Sequence, residues 1–392
     1  MTDRSISPYS LPPTPHSPLS HSPTPHSGYH WNGQPGRFFE GWYFRLTLPA
    51  PDAASGQTFA FMYSIDDPAG GTDYSGGVAQ ILGSDETYFC RTFPDVTQFW
   101  ASPTQLALGH WRRSADPGPA RCLSGDTFSQ VVQEGYQASA HRHQGRLLGP
   151  SGDVVAEWDY RILPVARWGA PRPKATAGLL SYLPIFEPGW QILMAHGLAT
   201  GWVVWQGQRY TFEDAPAYAE KNWGGAFPAK WFWLQCNAFA EEPTLSVTAA
   251  AGVREVLTWK ENVGLIGIHH EGQFYEFFST KMPFTWQVDP WGYWQLTAEG
   301  KALQGDRLAR SYRVELIGRA ADEGAWVRVP TRAGMKFLCR DTTHGDLQLR
   351  LWERSDPFSG SSNERLLLDV SSQLAGLEVG GGPWEDRWVH GK

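Results

Sequence analysis

Apolar and polar residues alternate two by two along most of the chain, which predicts β-strands rather than helices. The segment "RFFEGWYFRLTLP" (37–49) sets the rhythm. Phe38, Glu40, Trp42, Phe44, Leu46 and Leu48 share one face, and Phe39, Tyr43, Arg45 and Thr47 share the other. The first row is apolar except for Glu40, so that carboxylate is expected to face an apolar layer. The pattern returns in "TFAFMYSIDDP" (58–68), "DYSGGVAQILG", "ETYFCRTF", "HWRRS", "GYQASAHRH" and "DVVAEWDYRILPV". No sustained helical periodicity interrupts this span. Residues 164–190 are richer in Pro and Gly and predict a crossing segment with a unit boundary near or just after it. "WQILMAHGLATGWVVWQGQRYTFEDAP" then predicts two or three strands joined by tight turns.

The second half restarts like the first. "KWFWLQCNAF" (230–239) has the character of "EGWYFRLTL", and each is followed by a loop and a β run, "TLSVTAAAG" and "TFAFMYSI". The reading is two copies of one antiparallel barrel-like unit with an apolar interior, residues 28–200 and 201–392. "SNERLLLDVSSQLAGLEVGG" is expected to carry a short helix. Residues 1–27 stand apart: Pro, Ser and His with almost no large apolar side chains cannot build a core, so a disordered leader is expected, with His16, His21 and His26 in it.

Composition narrows the function. The 392 residues include 20 Trp, 14 Tyr and 20 Phe, and only 19% are charged. A net charge of −7 without a Lys/Arg cluster excludes a general nucleic-acid binder. Cys90, Cys122, Cys236 and Cys339 are scattered and read as free thiols in a reducing compartment. No apolar run approaches the ~18 residues that span a bilayer. No signal or transit peptide pattern is seen at the start, so a cytoplasmic protein, or one peripheral to internal membranes through surface Trp, is expected. There is no phosphate loop, dinucleotide fingerprint, GxSxG elbow or HExxH, and His269-His270 alone is a weak metal signal.

The candidate chemistry centres on "YAEKNWGGAFPAKWFWLQCN" (218–237). Glu220 and Lys221 precede a Gly-Gly turn and read equally well as a surface ion pair or as polar groups in an aromatic pocket. Asn222 adds a neutral donor and acceptor, and Trp223 an apolar wall. Glu40 in an apolar face would hold its proton near neutral pH. Asp66 and Asp67 fit a turn, Asp214 fits an Asx-Pro turn, and His196 shares a row with Trp190, Ile192 and Met194.

At "TPHSGYHW", "RFFEGWYF", "LPIFEPGWQILMAHGLATGW", "DAPAYAEKNWGGAFPAKWFWLQCN" and "GYWQLTAE" the sequence resembles the tocopherol cyclases. With its short leader it looks like a cyanobacterial version. The resemblance covers roughly 24–390, and it extends to AttH-like and carotenoid hydratase-like proteins. It implies a mainly β fold of two lipocalin-like antiparallel β-barrel domains packed together. It also implies an intramolecular cyclisation in which a phytyl-benzoquinol closes its phenol oxygen onto the first alkene of the tail, with no cofactor and no metal. Dimethyl-phytyl-benzoquinol would give γ-tocopherol, and the monomethyl quinol δ-tocopherol. Such a partner is a small apolar molecule, which allows contact with a membrane or lipid droplet. Within that expectation Glu40 and Glu220 are acid and base, and Lys221 and Asn222 orient the quinol. Trp42, Tyr43 and Trp223 line the site, and Asp66 and His196 stand in reserve. A prenylquinone carrier and a carotenoid hydratase-like enzyme remain as alternatives.

Overall fold

The computed structural model describes residues 4–5, 23–34, 36–50, 56–113, 120–182, 188–256, 259–302, 310–321, 323–354 and 364–391. The strands are β1 (Arg4–Ser5), β2 (Phe39–Leu48), β3 (Gln57–Asp66), β4 (Gly76–Leu82), β5 (Tyr88–Phe93), β6 (Phe99–Ala101), β7 (Ala107–Arg113), β8 (Val132–Ser139), β9 (Arg142–Leu148), β10 (Val154–Ala166), β11 (Gly189–Trp205) and β12 (Gln208–Gly224). They continue as β13 (Lys230–Cys236), β14 (Ser246–Val256), β15 (Trp259–His270), β16 (Gln273–Phe278), β17 (Phe284–Val288), β18 (Tyr293–Ala302), β19 (Arg310–Arg319), β20 (Ala325–Thr331), β21 (Gly334–Arg354), β22 (Glu364–Gly381) and β23 (Trp388–His390). One short helix, α1 (Gly125–Val131), interrupts them, capped by the Ser124 hydroxyl accepting from the Thr127 N–H.

The strands form two large antiparallel sheets, with the two-residue β1 running parallel to β12. The first has the order β5-β4-β3-β2-β12-β11-β10-β9-β8-β7-β6, and the second β16-β15-β14-β13-β22-β21-β19-β18-β17-β23 with β20 beside β21. The first sheet curls until strands distant in its order touch. Tyr63 of β3 stacks on Tyr136 of β8 at 3.9 Å, and Phe61 of β3 meets Trp158 of β10 at 4.9 Å. The second curls likewise, with Phe232 of β13 against Trp286 of β17 at 5.7 Å. Each curl therefore closes on its own packed aromatic and aliphatic core.

Several local expectations change. The segment 189–224 is a single long hairpin whose turn residues Gln206 and Gly207 both have left-handed φ, 49° and 83°. The "ATG" at 199–201 is a register shift within β11, not a turn, and Asp214 (φ 51°) sits opposite that shift inside β12. Residues 364–381 form strand β22 rather than a helix, because the segment pairs with both β13 and β21. Both strands of the long hairpin belong to the first sheet, so the change of sheet comes between Gly224 and Lys230, whereas the expected division at 200/201 cuts β11. Of the leader, 6–22 lie outside the described residues, whereas His26 packs against Trp223 (ring centroids 5.0 Å) and bonds Ser181 at 2.9 Å. All four cysteines are free.

Candidate active site

The two sheets meet through β2, β12 and β13. On β2 the row that alternation marks as the more polar one, Tyr43, Arg45 and Thr47, is not solvated: Arg45 is 1% exposed and Thr47 is 0% exposed. A second sheet covers it, so β2 is buried on both faces. Arg45 crosses the junction, donating to Gln235 Oε1 at 3.1 Å and to the carbonyls of Thr343 and Leu374 at 3.0 and 2.6 Å.

Strand parity then sorts the candidate residues. In the β2–β12 register Tyr43 stands opposite Glu220 and Gly41 opposite Asn222, on the face toward the second sheet. Trp42 stands opposite Lys221 and Glu40 opposite Trp223, on the inner face of the first sheet. Neighbours in sequence thus serve different places.

A mostly apolar cavity of about 270 Å³, open along one side, lies between the sheets. Tyr43, Glu220 and Asn222 line it from the first sheet, and Trp231 and Trp233 from the second. Glu220 is 7% exposed and accepts hydrogen bonds from the Tyr218 hydroxyl at 2.6 Å and Trp233 Nε1 at 3.1 Å. Burial pushes its carboxyl from 4.5 up to about 7, Glu378 pushes the same way, and the donors Tyr218, Trp190 and Trp233 offset part of the rise. Among the described residues no cation forms an ion pair with it. The result is a carboxylic acid that keeps its proton near neutrality inside an aromatic chamber.

Sequence reasoning missed a second carboxylate here. Glu378 of β22 lines the same cavity and accepts from Trp231 Nε1 at 2.6 Å. The two indoles of "KWFW" therefore hold one carboxylate from each sheet, Trp233 holding Glu220 and Trp231 holding Glu378. Trp231 can lie across β22 because its partner there is Gly380, where a Cβ would fall 2.0 Å from the ring. Asp341 of β21 stands directly opposite Glu378 and is 1% exposed. Burial and then the Glu378 charge drive the Asp341 carboxyl well above its usual range. The signal that could have found Glu378 is the duplication itself. Tyr43 opposes Glu220 in the β2–β12 pair, and Trp233 opposes Glu378 in the β13–β22 pair.

The remaining candidates lie elsewhere. Glu40 and Lys221, both with 0% side-chain exposure, form an ion pair at 2.5 Å on the inner face of the first sheet. Glu40 also accepts from the His30 backbone N–H at 2.8 Å, and Lys221 donates to the Gly28 carbonyl at 2.5 Å. Burial lowers the Lys221 pKa and the Glu40 charge opposes that. Trp223 stacks flat on His30 at 3.9 Å, so these residues together clamp the 26–30 segment to the sheet. Trp42 borders the cavity, but its indole belongs to the core of the first sheet. Asp66 pairs with Arg37 at 2.6 Å, and burial, opposed by Arg37, pushes its carboxyl up to about 6. His196 is buried on β11 and lies near enough to His269 to add, behind burial, to the lowering of that imidazole's pKa. Among the described residues no group of three or more His, Cys, Asp or Glu is placed to hold a metal ion.

Comparison with known proteins identifies relatives of this chain. The chain is 40% identical over 402 residues to "Tocopherol cyclase, chloroplastic" of Zea mays, a match covering 96% of this chain and 79% of that protein. It is 40% identical over 402 residues to "Probable tocopherol cyclase, chloroplastic" of Oryza sativa subsp. japonica, covering 96% of this chain and 80% of that protein. An AttH-like protein from Nitrosomonas europaea has a solved structure with 12% identity and a TM-score of 0.48, covering 94% of this chain and 99% of that one. The family model described as tocopherol cyclase-like matches residues 36–381, which takes in both sheets and every cavity residue named above, and the chain belongs to that family.

Proposed function

We propose that this protein is a tocopherol cyclase that converts dimethyl-phytyl-benzoquinol to γ-tocopherol and the monomethyl quinol to δ-tocopherol. The observation that carries the reading is Glu220: a buried, uncompensated carboxyl, titrating near 7, aimed into an aromatic cavity. Glu220 protonates the alkene carbon nearer the ring, positive charge develops on the tertiary carbon, and the phenol oxygen attacks it. Closing the C–O bond as the proton arrives avoids a free cation. The faces of Tyr43, Trp190 and Trp233 stabilise the developing charge by about 0.5–2 kcal/mol each. The apolar walls keep water from capturing it. Asn222 supplies a neutral polar group for a quinol hydroxyl, and Glu40 with Lys221 holds the scaffold from behind.

Anaerobic incubation with dimethyl-phytyl-benzoquinol in deuterated water tests this. One deuteron is expected on the ring carbon beside the quaternary centre. Unchanged quinol that stays bound would identify a carrier, and a tertiary alcohol a hydratase. Because the acid form does the work, kcat is expected to fall as pH rises through about 7. A profile that is flat from pH 6 to 9, on the order of three units about that value, would remove Glu220 from this role.

Access from a membrane has a structural basis. The β20–β21 hairpin lines the cavity with Val327, Val329 and Met335 and turns Trp326, Phe337 and Leu338 outward, 56%, 50% and 42% exposed. Exposed Arg332 and Lys336 flank them. This combination suits the interface of an anionic bilayer. Among the described residues no helix is long and apolar enough to cross one. Replacing Trp326 and Phe337 together by Ser is expected to weaken co-sedimentation with anionic vesicles about tenfold or more. Turnover of detergent-dispersed substrate should hold. Equal vesicle binding by the variant would dismiss the hairpin as the docking face.

A further inference from the structure

Ring closure moves two protons, and Glu220 accounts for one. The phenol must lose its own proton as the C–O bond forms, and a dry cavity offers no bulk water to take it. A second group with a free lone pair is needed on the phenol side.

We infer that Glu378, backed by Asp341 across the β21–β22 pair, is the base that accepts the phenol proton. This rests on the cyclase reading above. Glu378 lines the cavity, and its Oε1 is fixed by Trp231 Nε1 at 2.6 Å. Glu220 and Glu378 line the same cavity, each held by a different indole of β13, Trp233 and Trp231. Two carboxyls so held can act at different atoms of one substrate. Asp341 is the in-register partner of Glu378, which puts the two side chains on one face of adjacent strands. No side-chain donor among the described residues reaches either Asp341 oxygen. Two carboxyls so placed, both buried, do not ionise together and share one proton. Burial raises both, and the Glu378 charge raises Asp341 further, while the Trp231 and Cys339 donors offset part of the rise at Glu378.

The charges around the pair are few. Arg45 is the cation whose field reaches Asp341, while Glu86 adds repulsion, and the Cys339 thiol lies 3.5 Å from Glu378 Oε2. Tyr43 feels Asp341, Glu378 and Glu220 alike. One guanidinium therefore stands against a pair that carries a single charge, and Glu220, raised by burial, supplies the protonated form below about pH 7.

The step balances. The Glu220 O–H bond breaks and a C–H bond forms at the alkene. The phenol O–H bond breaks, its proton goes to the Glu378–Asp341 pair, and the C–O bond forms. Quinol and chromanol are isomers, so no electrons are exchanged. One proton then returns from the pair to Glu220 to reset the site.

Glu378→Gln preserves the acceptor for Trp231 but cannot take a proton. Its kcat is expected to fall about 100-fold, while chromanol binding, read by quenching of Trp fluorescence, changes by less than about threefold. Glu378→Asp, which keeps the carboxyl, is expected to retain clearly more activity than Glu378→Gln. Asp341 acts through Glu378 and is a positioning residue, so Asp341→Asn is expected to lower kcat with KM held, whereas structural damage moves both. Glu378→Gln turning over within about threefold of wild type, or equal activity of the Asp and Gln variants, would overturn the inference. If wild type makes chromanol and Glu220→Gln does not, that failure leaves the cyclase reading standing. No chromanol from the wild type sinks the cyclase reading itself.

Discussion

Glu220→Gln is expected to fold normally and to lose cyclisation by about 1,000-fold, within the span attributed to a positioned general acid. The amide oxygen still accepts from Tyr218 and Trp233, so the hydrogen-bond frame survives. What vanishes is the transferable proton. Chromanol formation under anaerobic conditions, with urea denaturation run in parallel, separates the two effects. The same variant has a stability signature. The Glu220 pKa is raised on folding, from 4.5 to about 7. Its favourable contribution is whole below about 4.5 and is lost as pH rises through about 7. Wild type should therefore lose stability as pH rises from about 4.5 to about 7 in a way that Glu220→Gln does not, on the basis that a neutral amide has nothing to ionise there. A variant that keeps most of its turnover would exclude Glu220 as the proton donor.

The second large effect falls on stability. Lys221→Met leaves the Glu40 carboxylate buried without its ammonium partner, which costs about 3–5 kcal/mol. The double variant Glu40→Gln/Lys221→Met removes both charges together and is expected to recover much of that loss. Urea denaturation of wild type, both single variants and the double closes the cycle. Because this pair is on the face of β12 turned away from the cavity, the folded double variant should keep at least about a third of wild-type kcat. A folded double variant with no activity would return Glu40 to the catalytic machinery. Equal stability of Lys221→Met and the double variant would show that the ion pair does not anchor the 26–30 segment.

The residues of "FFEGWYF" and "AEKNWGG" are among the most informative in the chain, yet their chemistry cannot be divided without a partner strand. Alternation on β2 correctly separates Glu40 and Trp42 from Tyr43 and Arg45. The inference that the apolar row must carry the site follows only if the other row faces water. It faces a second sheet instead, and the pair Lys221–Asn222, adjacent in sequence, ends on opposite sides of β12. Glu378 and Asp341 were invisible for a related reason. Each looks like an ordinary charged residue in a strand until β21, β22 and β13 are in register.

The sequence by itself determined the strand content, the repetition of an aromatic-led unit, and Glu220 beside its aromatic neighbours. These are local matters: side-chain period, composition and turn residues act over a few positions. Only the tertiary structure decided that a cavity lies between the sheets, which carboxyls line it, and which lie outside it. Protonation state depends on what surrounds a carboxyl in three dimensions, and burial raises Glu220, Glu378 and Asp341 only once the strands are packed; Trp231, which bonds Glu378, is 147 residues from it in the chain.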